Sequence, residues 1–431
     1  MFLHVFLVFL CFINIQSPDP HAPIPVVKSE AFSFLTDNQL AIAVSLGTPE
    51  QSQMFIIDIG TPKTWMYKGI YDPTKSSTYS TEDKTAKFTQ DMFSFEGKVI
   101  KEKFTFSEIE MNNYEFLMTE QITGSNQFLL SIGLGRSSVF IDKMAKELES
   151  ERTFMLQFYK DQYKGVLHIG DLSEELKIKA NKIDSIPLIE NDSNKWMCQM
   201  KYIFIGDYDY QSDKAKKKLN ETDNKEHFII DTKDYEFFST EYNATFETIY
   251  SKIYIPSSVK QFLDTKYFIG DLEKVCTAEP EDEKGDIIYK CDKAQKSKIK
   301  TINFVFSNGL NVFLKKEDLV ICEDNECQFA LMYNKNINRF AFGITMLQYF
   351  NTFFKLDGNE LYLESDGRKY IVDLDNSTEE PKAPSTGLGI LKWFLIIVAI
   401  LVVIFIIFKC IMKRKKVTKK LIEDQIYQTF E

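Results

Sequence analysis

Short apolar runs separated by turn-forming residues fill the chain between about residues 33 and 370. LAIAVSL (40–46), QMFIIDI (53–59), KGVLHIG (164–170), IKTINFVF (299–306) and GLNVFLK (309–315) each have the length and β-branched or aromatic content of a strand. Gly47-Thr48-Pro49, Gly97, Gly135, Gly170-Asp171, Asn308-Gly309 and Asp357-Gly358 punctuate them as turns. Helical spacing is confined to two patches, 142–149, where Met144 and Leu148 share a face, and 241–252. The pattern predicts an all-β region with few helices, too long for one sandwich. The 37 Phe and 20 Tyr residues suit such a region.

One string occurs twice. Phe55-Ile56-Ile57-Asp58 and Phe228-Ile229-Ile230-Asp231 both read FIID. Each is an apolar run ending on a carboxylate, and an aspartate at the end of a buried strand is costly unless paired or hydrogen-bonded. Two such aspartates meeting between two similar lobes would share a proton, giving one general acid and one general base.

The ends of the chain follow another pattern. Residues 1–17 begin with an apolar run and close on Ser17, as in a signal peptide, although no Lys or Arg precedes the run. Residues 391–411 are almost wholly apolar and long enough to cross a bilayer, with Trp393 as an interface anchor and Lys409 near the far end. Lys413-Arg414-Lys415-Lys416 follow, which places residues 412–431 in the cytosol. The stretch 373–390, with Pro381 and Pro384, reads as a stalk. The expectation is a single-pass type I membrane protein of the secretory or endolysosomal pathway or the cell surface. Its ectodomain would carry sequons at Asn191, Asn220, Asn243 and Asn376. Tyr427-Gln428-Thr429-Phe430 has the form of a sorting signal.

Composition narrows the chemistry. A net charge of −10 disfavours nucleic acid as a partner. Four scattered histidines (His4, His21, His168, His227) with no ligand spacing point to no metal site, and no phosphate-binding glycine motif points to no nucleotide cofactor. Of the five ectodomain cysteines, Cys276, Cys291, Cys322 and Cys327 cluster, predicting two disulfides of unspecified pairing in an oxidising compartment. Cys198 is left over and expected to be buried.

Around the first FIID stand Leu46-Gly47-Thr48-Pro49, Asp58-Ile59-Gly60-Thr61, Trp65 and Tyr71-Asp72-Pro73-Thr74-Lys75-Ser76-Ser77-Thr78-Tyr79. In this order and spacing they resemble the N-terminal lobe of the pepsin-like aspartic proteases. Ile132-Gly133-Leu134-Gly135, Gly165–Gly170, Ile186-Pro187-Leu188 with Trp196, and Phe342-Gly343-Ile344 with Leu347–Phe354 are similar to later family segments. The resemblance implies a bilobal all-β fold, with lobes at 33–180 and 181–372. It also implies a catalytic Asp58/Asp231 pair activating a water against a peptide or protein substrate, with no cofactor, in what is expected to be a monomer.

The loops depart from the family pattern in places. Ile59 replaces the threonine of the first aspartate loop, while Gly60 and Thr61 remain to support the carboxylate. The second reads Asp231-Thr232-Lys233-Asp234, where Thr232 is kept and Lys233 replaces glycine. Gln90 stands at the tyrosine position of the flap, the hairpin that covers the cleft. Two readings follow. One is a membrane-anchored aspartic endopeptidase; the other is an inactive protease-like ectodomain that binds peptides or proteins in its cleft.

Overall fold

The computed structural model describes residues 27–34, 39–91, 93–123, 129–159, 164–171, 185–190, 194–207, 217–220, 225–230, 235–239, 242–268, 275–323, 326–364 and 369–374. The signal peptide, the apolar span, the cytosolic tail, most of the stalk, Asn191 and Asn376 lie outside them. Among the described residues no helix is long and apolar enough to cross a membrane.

Two large sheets form the core. In the first, of thirteen strands, Gln51–Asp58 pairs antiparallel with Leu40–Leu46 and parallel with Leu130–Gly133. The parallel register sets Ile56 against Ser131, Ile57 against Ile132 and Asp58 against Gly133. Phe55 to Asp58 are buried without alternation, as a strand covered on both faces must be. The chain returns to this sheet late, where Asn351–Lys355 pairs with Thr153–Tyr159 and Ser185–Pro187 joins the edge through Glu360–Glu364.

The second sheet, of twelve strands, repeats the central arrangement. Asn243–Phe246 pairs parallel with Phe340–Phe342, Ala244 opposite Phe340 and Phe246 opposite Phe342. Of the region 241–252, expected to be helical from its spacing, residues 243–246 form a central strand, followed by a turn at 248–249. Ala244, Thr245 and Phe246 are all buried, so its apolar spacing reflects packing on two faces. The other expected helix forms at Val139–Glu147, capped by the Ser138 hydroxyl, which accepts from the Ile141 N–H at 3.2 Å.

The repeated FIID runs do not occupy equivalent places. Gln51–Asp58 is central. Lys225–Ile230, which carries Phe228 to Ile230, pairs with Lys217–Asn220 and Lys369–Leu374 near one edge of its sheet. Four strands stand between it and Asn243–Phe246. The strand Lys369–Leu374 also extends the fold past residue 372 to Leu374.

Both disulfides lie in a separate four-stranded sheet and join residues directly opposite in register, Cys276 to Cys291 and Cys322 to Cys327. Cys198 is buried and free. Asn243 is exposed at the start of its strand.

Candidate active site

Asp58 ends its strand fully buried between the lobes. Its Oδ1 accepts from the Gly60 N–H at 2.8 Å and the Gln90 Nε2 at 3.2 Å. Its Oδ2 has no hydrogen-bond partner among the described residues. Thr61, expected to offer a hydroxyl to the carboxylate, instead accepts from the Lys63 N–H at 3.3 Å. Burial, with the Glu247 charge adding to it, pushes the Asp58 carboxyl up to about 7, against the pull of the Gln90 and Gly60 hydrogen bonds. Asp58 is thus a neutral acid below that pH.

The residue beside it from the second lobe is Glu247, immediately after Asn243–Phe246. A Cβ built on Gly60 would lie 2.9 Å from Glu247 Oε2, 2.9 Å from Gln90 Nε2 and 3.2 Å from Asp58 Oδ1. Both carboxylates and the flap amide therefore crowd one side of a glycine that has no room for a side chain. A backbone bond ties each carboxylate residue to the segment beside it, in opposite senses. The Leu134 N–H donates to Asp58 O at 2.7 Å, and the Glu247 N–H donates to Phe342 O at 3.0 Å.

Thr248 ties the two loops together. Its hydroxyl accepts from the Ile59 N–H at 3.1 Å and donates to the Ile57 carbonyl. Ile59 has no hydroxyl to return the contact and packs in the core instead. Asp231, Thr232, Lys233 and Asp234 lie outside the described residues. Pattern matching on FIID missed Glu247 and Thr248. The available signal was Thr245-Phe246-Glu247-Thr248, an apolar position followed by a carboxylate and a threonine.

Around Glu247 is an ion-pair cluster. Lys195 Nζ lies 2.9 and 3.0 Å from its two oxygens, the Thr245 hydroxyl donates to Oε1 at 2.7 Å, and the Arg339 guanidinium donates to Oε1 as well. Asp91, at the flap turn, reaches the same cations. Its Oδ2 is 2.6 Å from Lys195 Nζ, 2.7 Å from Arg339 Nη2 and 2.8 Å from the Tyr250 hydroxyl. Burial alone would raise the Asp91 carboxyl, but Lys195 and Arg339 outweigh it and hold it well below the usual carboxylate range. Asp91 adopts a left-handed backbone, φ +47°, which turns its side chain down into the cleft. Gln90 thus brings the flap into direct contact with Asp58, and Asp91 links it to Glu247 through the shared cations Lys195 and Arg339. Among the described residues no group of three or more His, Cys, Asp or Glu side chains is placed to hold a metal ion.

Two β lobes each bring a carboxylate to a shared cleft, Asp58 at the end of its strand and Glu247 just after its own. Residues 39–365 match the family model described as eukaryotic aspartyl protease, and the chain belongs to that family. It is 30% identical over 94 residues to gastricsin from Oryctolagus cuniculus, a stretch covering 19% of this chain and 24% of that relative. The fold is similar to the crystal structure of aspartic proteinase from Irpex lacteus, with a TM-score of 0.59 and 13% identity, over 80% of this chain and 98% of that one.

Proposed function

We propose that the protein is an aspartic-type endopeptidase in which Asp58 and Glu247 form the working pair. The observation that carries this reading is the unpartnered, buried Oδ2 of Asp58, on an acid kept neutral to about pH 7, beside a second carboxylate paired with cations. A water attacking a peptide carbonyl gives its proton to Glu247 while Asp58 donates to the carbonyl oxygen. The pair then returns a proton to the amide nitrogen as the C–N bond breaks. The substrate class, a peptide or protein, follows the family. The apolar span 391–411 and the basic residues after it support anchoring by one helix, with the catalytic region on the exocytic side.

The flap contacts favour a second reading, a non-catalytic domain. Hydrogen-bonded contacts from Asp91 to Lys195, Arg339 and Tyr250 leave no strand-wide gap for a substrate while the flap is down. Cleavage of a denatured protein substrate by the full-length chain at acid pH separates the two. Activity lost in Asp58→Asn and Glu247→Gln but kept in Asp231→Asn is expected. Loss in Asp231→Asn with retention in Glu247→Gln would return the second role to Asp231, and no activity at any pH would establish the non-catalytic reading.

A further inference from the structure

Resting on the reading of this cleft as a peptide site, we propose that Asp91 is a built-in stand-in for a substrate carboxylate, and that the site selects peptides bearing an acidic side chain held by Lys195 and Arg339. Lys195 and Arg339 are two cations, and Glu247 and Asp91 are two anions; all four side chains are at most 14% exposed. Three of the four belong to the second lobe, while Asp91 alone is carried by the flap, the element that must rise for a peptide to enter.

When the flap rises, Asp91 leaves with it. The ammonium of Lys195, the guanidinium of Arg339 and the phenol of Tyr250 then lose the carboxylate oxygen on which all three converge. A buried charge-assisted contact is expensive to give up, so the opened site favours an entering anion. The geometry of the replacement is already laid out. One Asp91 oxygen collects an ammonium, a guanidinium and the Tyr250 phenol at 2.6 to 2.8 Å, a three-donor seat for a carboxylate. It lies beside Glu247, so an acidic side chain seated there sets its own backbone next to Asp58 and Glu247. A neutral or basic side chain would not replace that carboxylate acceptor, and a basic one would add repulsion.

The test measures binding, not hydrolysis. Full-length protein in detergent micelles, carrying Asp58→Asn to prevent turnover and Asp91→Asn to vacate the seat, is titrated with a short fluorescein-labelled peptide containing one central glutamate. The same peptide with glutamine is the control, and anisotropy is the readout. The glutamate peptide is expected to bind about tenfold more tightly or better, as a charge-assisted contact implies. That preference should persist in Lys195→Arg, which keeps the charge, and vanish when Lys195→Met and Arg339→Met are combined. Restoring Asp91 should weaken binding of the glutamate peptide. Equal binding of both peptides, binding of neither by protein whose thermal melt shows it folded, or a preference that survives loss of both cations would overturn the proposal. An enzyme that fails to cleave anything leaves this readout intact, so the two failures are distinguishable.

Discussion

The hydroxyl of Thr248 accepts the backbone N–H of Ile59, 189 positions earlier in the chain, and donates to the carbonyl of Ile57. One side chain of the second lobe thus satisfies two backbone groups flanking Asp58 in the first. Thr248→Val keeps the shape and removes both bonds. Leaving two buried backbone groups unpaired is expected to cost about 3 kcal/mol. Chemical denaturation of the variant beside wild type checks this, and a loss within about 0.5 kcal/mol would show that the bonds carry little.

The neutral Asp58 makes stability depend on pH in a defined direction. Its carboxyl is raised from 3.8 to about 7, so the folded state holds a proton that the unfolded chain releases. The contribution is full below pH 3.8, falls as the pH climbs through about 7, and is absent above. It amounts to about 4 kcal/mol at most. Asp58→Asn, neutral at every pH, is expected to lack this slope and to exceed wild type in stability above neutrality. Melting temperatures of both chains from pH 4 to 8 decide it, and parallel profiles would refute the shift.

Asp91→Asn keeps the turn geometry, because asparagine tolerates a left-handed backbone, but removes the charge holding the flap to Lys195 and Arg339. Breaking a buried pair at one end is expected to cost about 3 kcal/mol. Hydrogen exchange should rise in Ser80–Gln90 and Phe93–Phe106 and stay unchanged in Asn243–Phe246. Uniform exchange across the chain would mean that the flap is held by Phe88, Phe93 and Phe95, which pack with Trp65 and with one another.

Two glycines near the cleft should respond differently to alanine. At Gly343 a Cβ would sit 2.2 Å from the Lys252 carbonyl oxygen and 2.3 Å from that of Tyr250, both backbone. At Gly60 the close atoms are the ends of the Gln90 and Glu247 side chains at 2.9 Å. Gly343→Ala is therefore expected to cost about 3 kcal/mol and Gly60→Ala about 1 kcal/mol. The Gly60 variant should instead displace Gln90 and Glu247 and alter catalysis. Thermal melts and cleavage rates of both variants test the contrast.

The sequence showed most of the first lobe and less of the second. Strands 40–46 and 164–170, the parallel partner Ile132-Gly133, and Asp58 with Gln90 above it were all readable. Their apolar runs and turn residues are local, and several motifs stood in order. Glu247, the proposed second carboxylate, was not readable, for two physical reasons. The run around Ala244 and Phe246 is buried on two faces, and over so few residues that spacing mimics one face of a helix. Phe228-Ile229-Ile230, by contrast, is a genuine strand, but strand composition does not reveal position within a sheet. The cluster joining Asp91, Lys195, Glu247 and Arg339 assembles four distant segments, and no local pattern announces it.

The depressed Asp91 carboxyl has a consequence for how the cleft answers its surroundings. A lid latched by an ordinary carboxylate would loosen as a compartment acidifies, and the proton would serve as its key. Held well below the usual range by Lys195 and Arg339, Asp91 keeps its charge through mildly acidic conditions. Being largely shielded from solvent, the contact is also poorly screened by dissolved salt. The lid therefore answers to a competing anion, and the molecule senses what arrives at its door in preference to the acidity of the room.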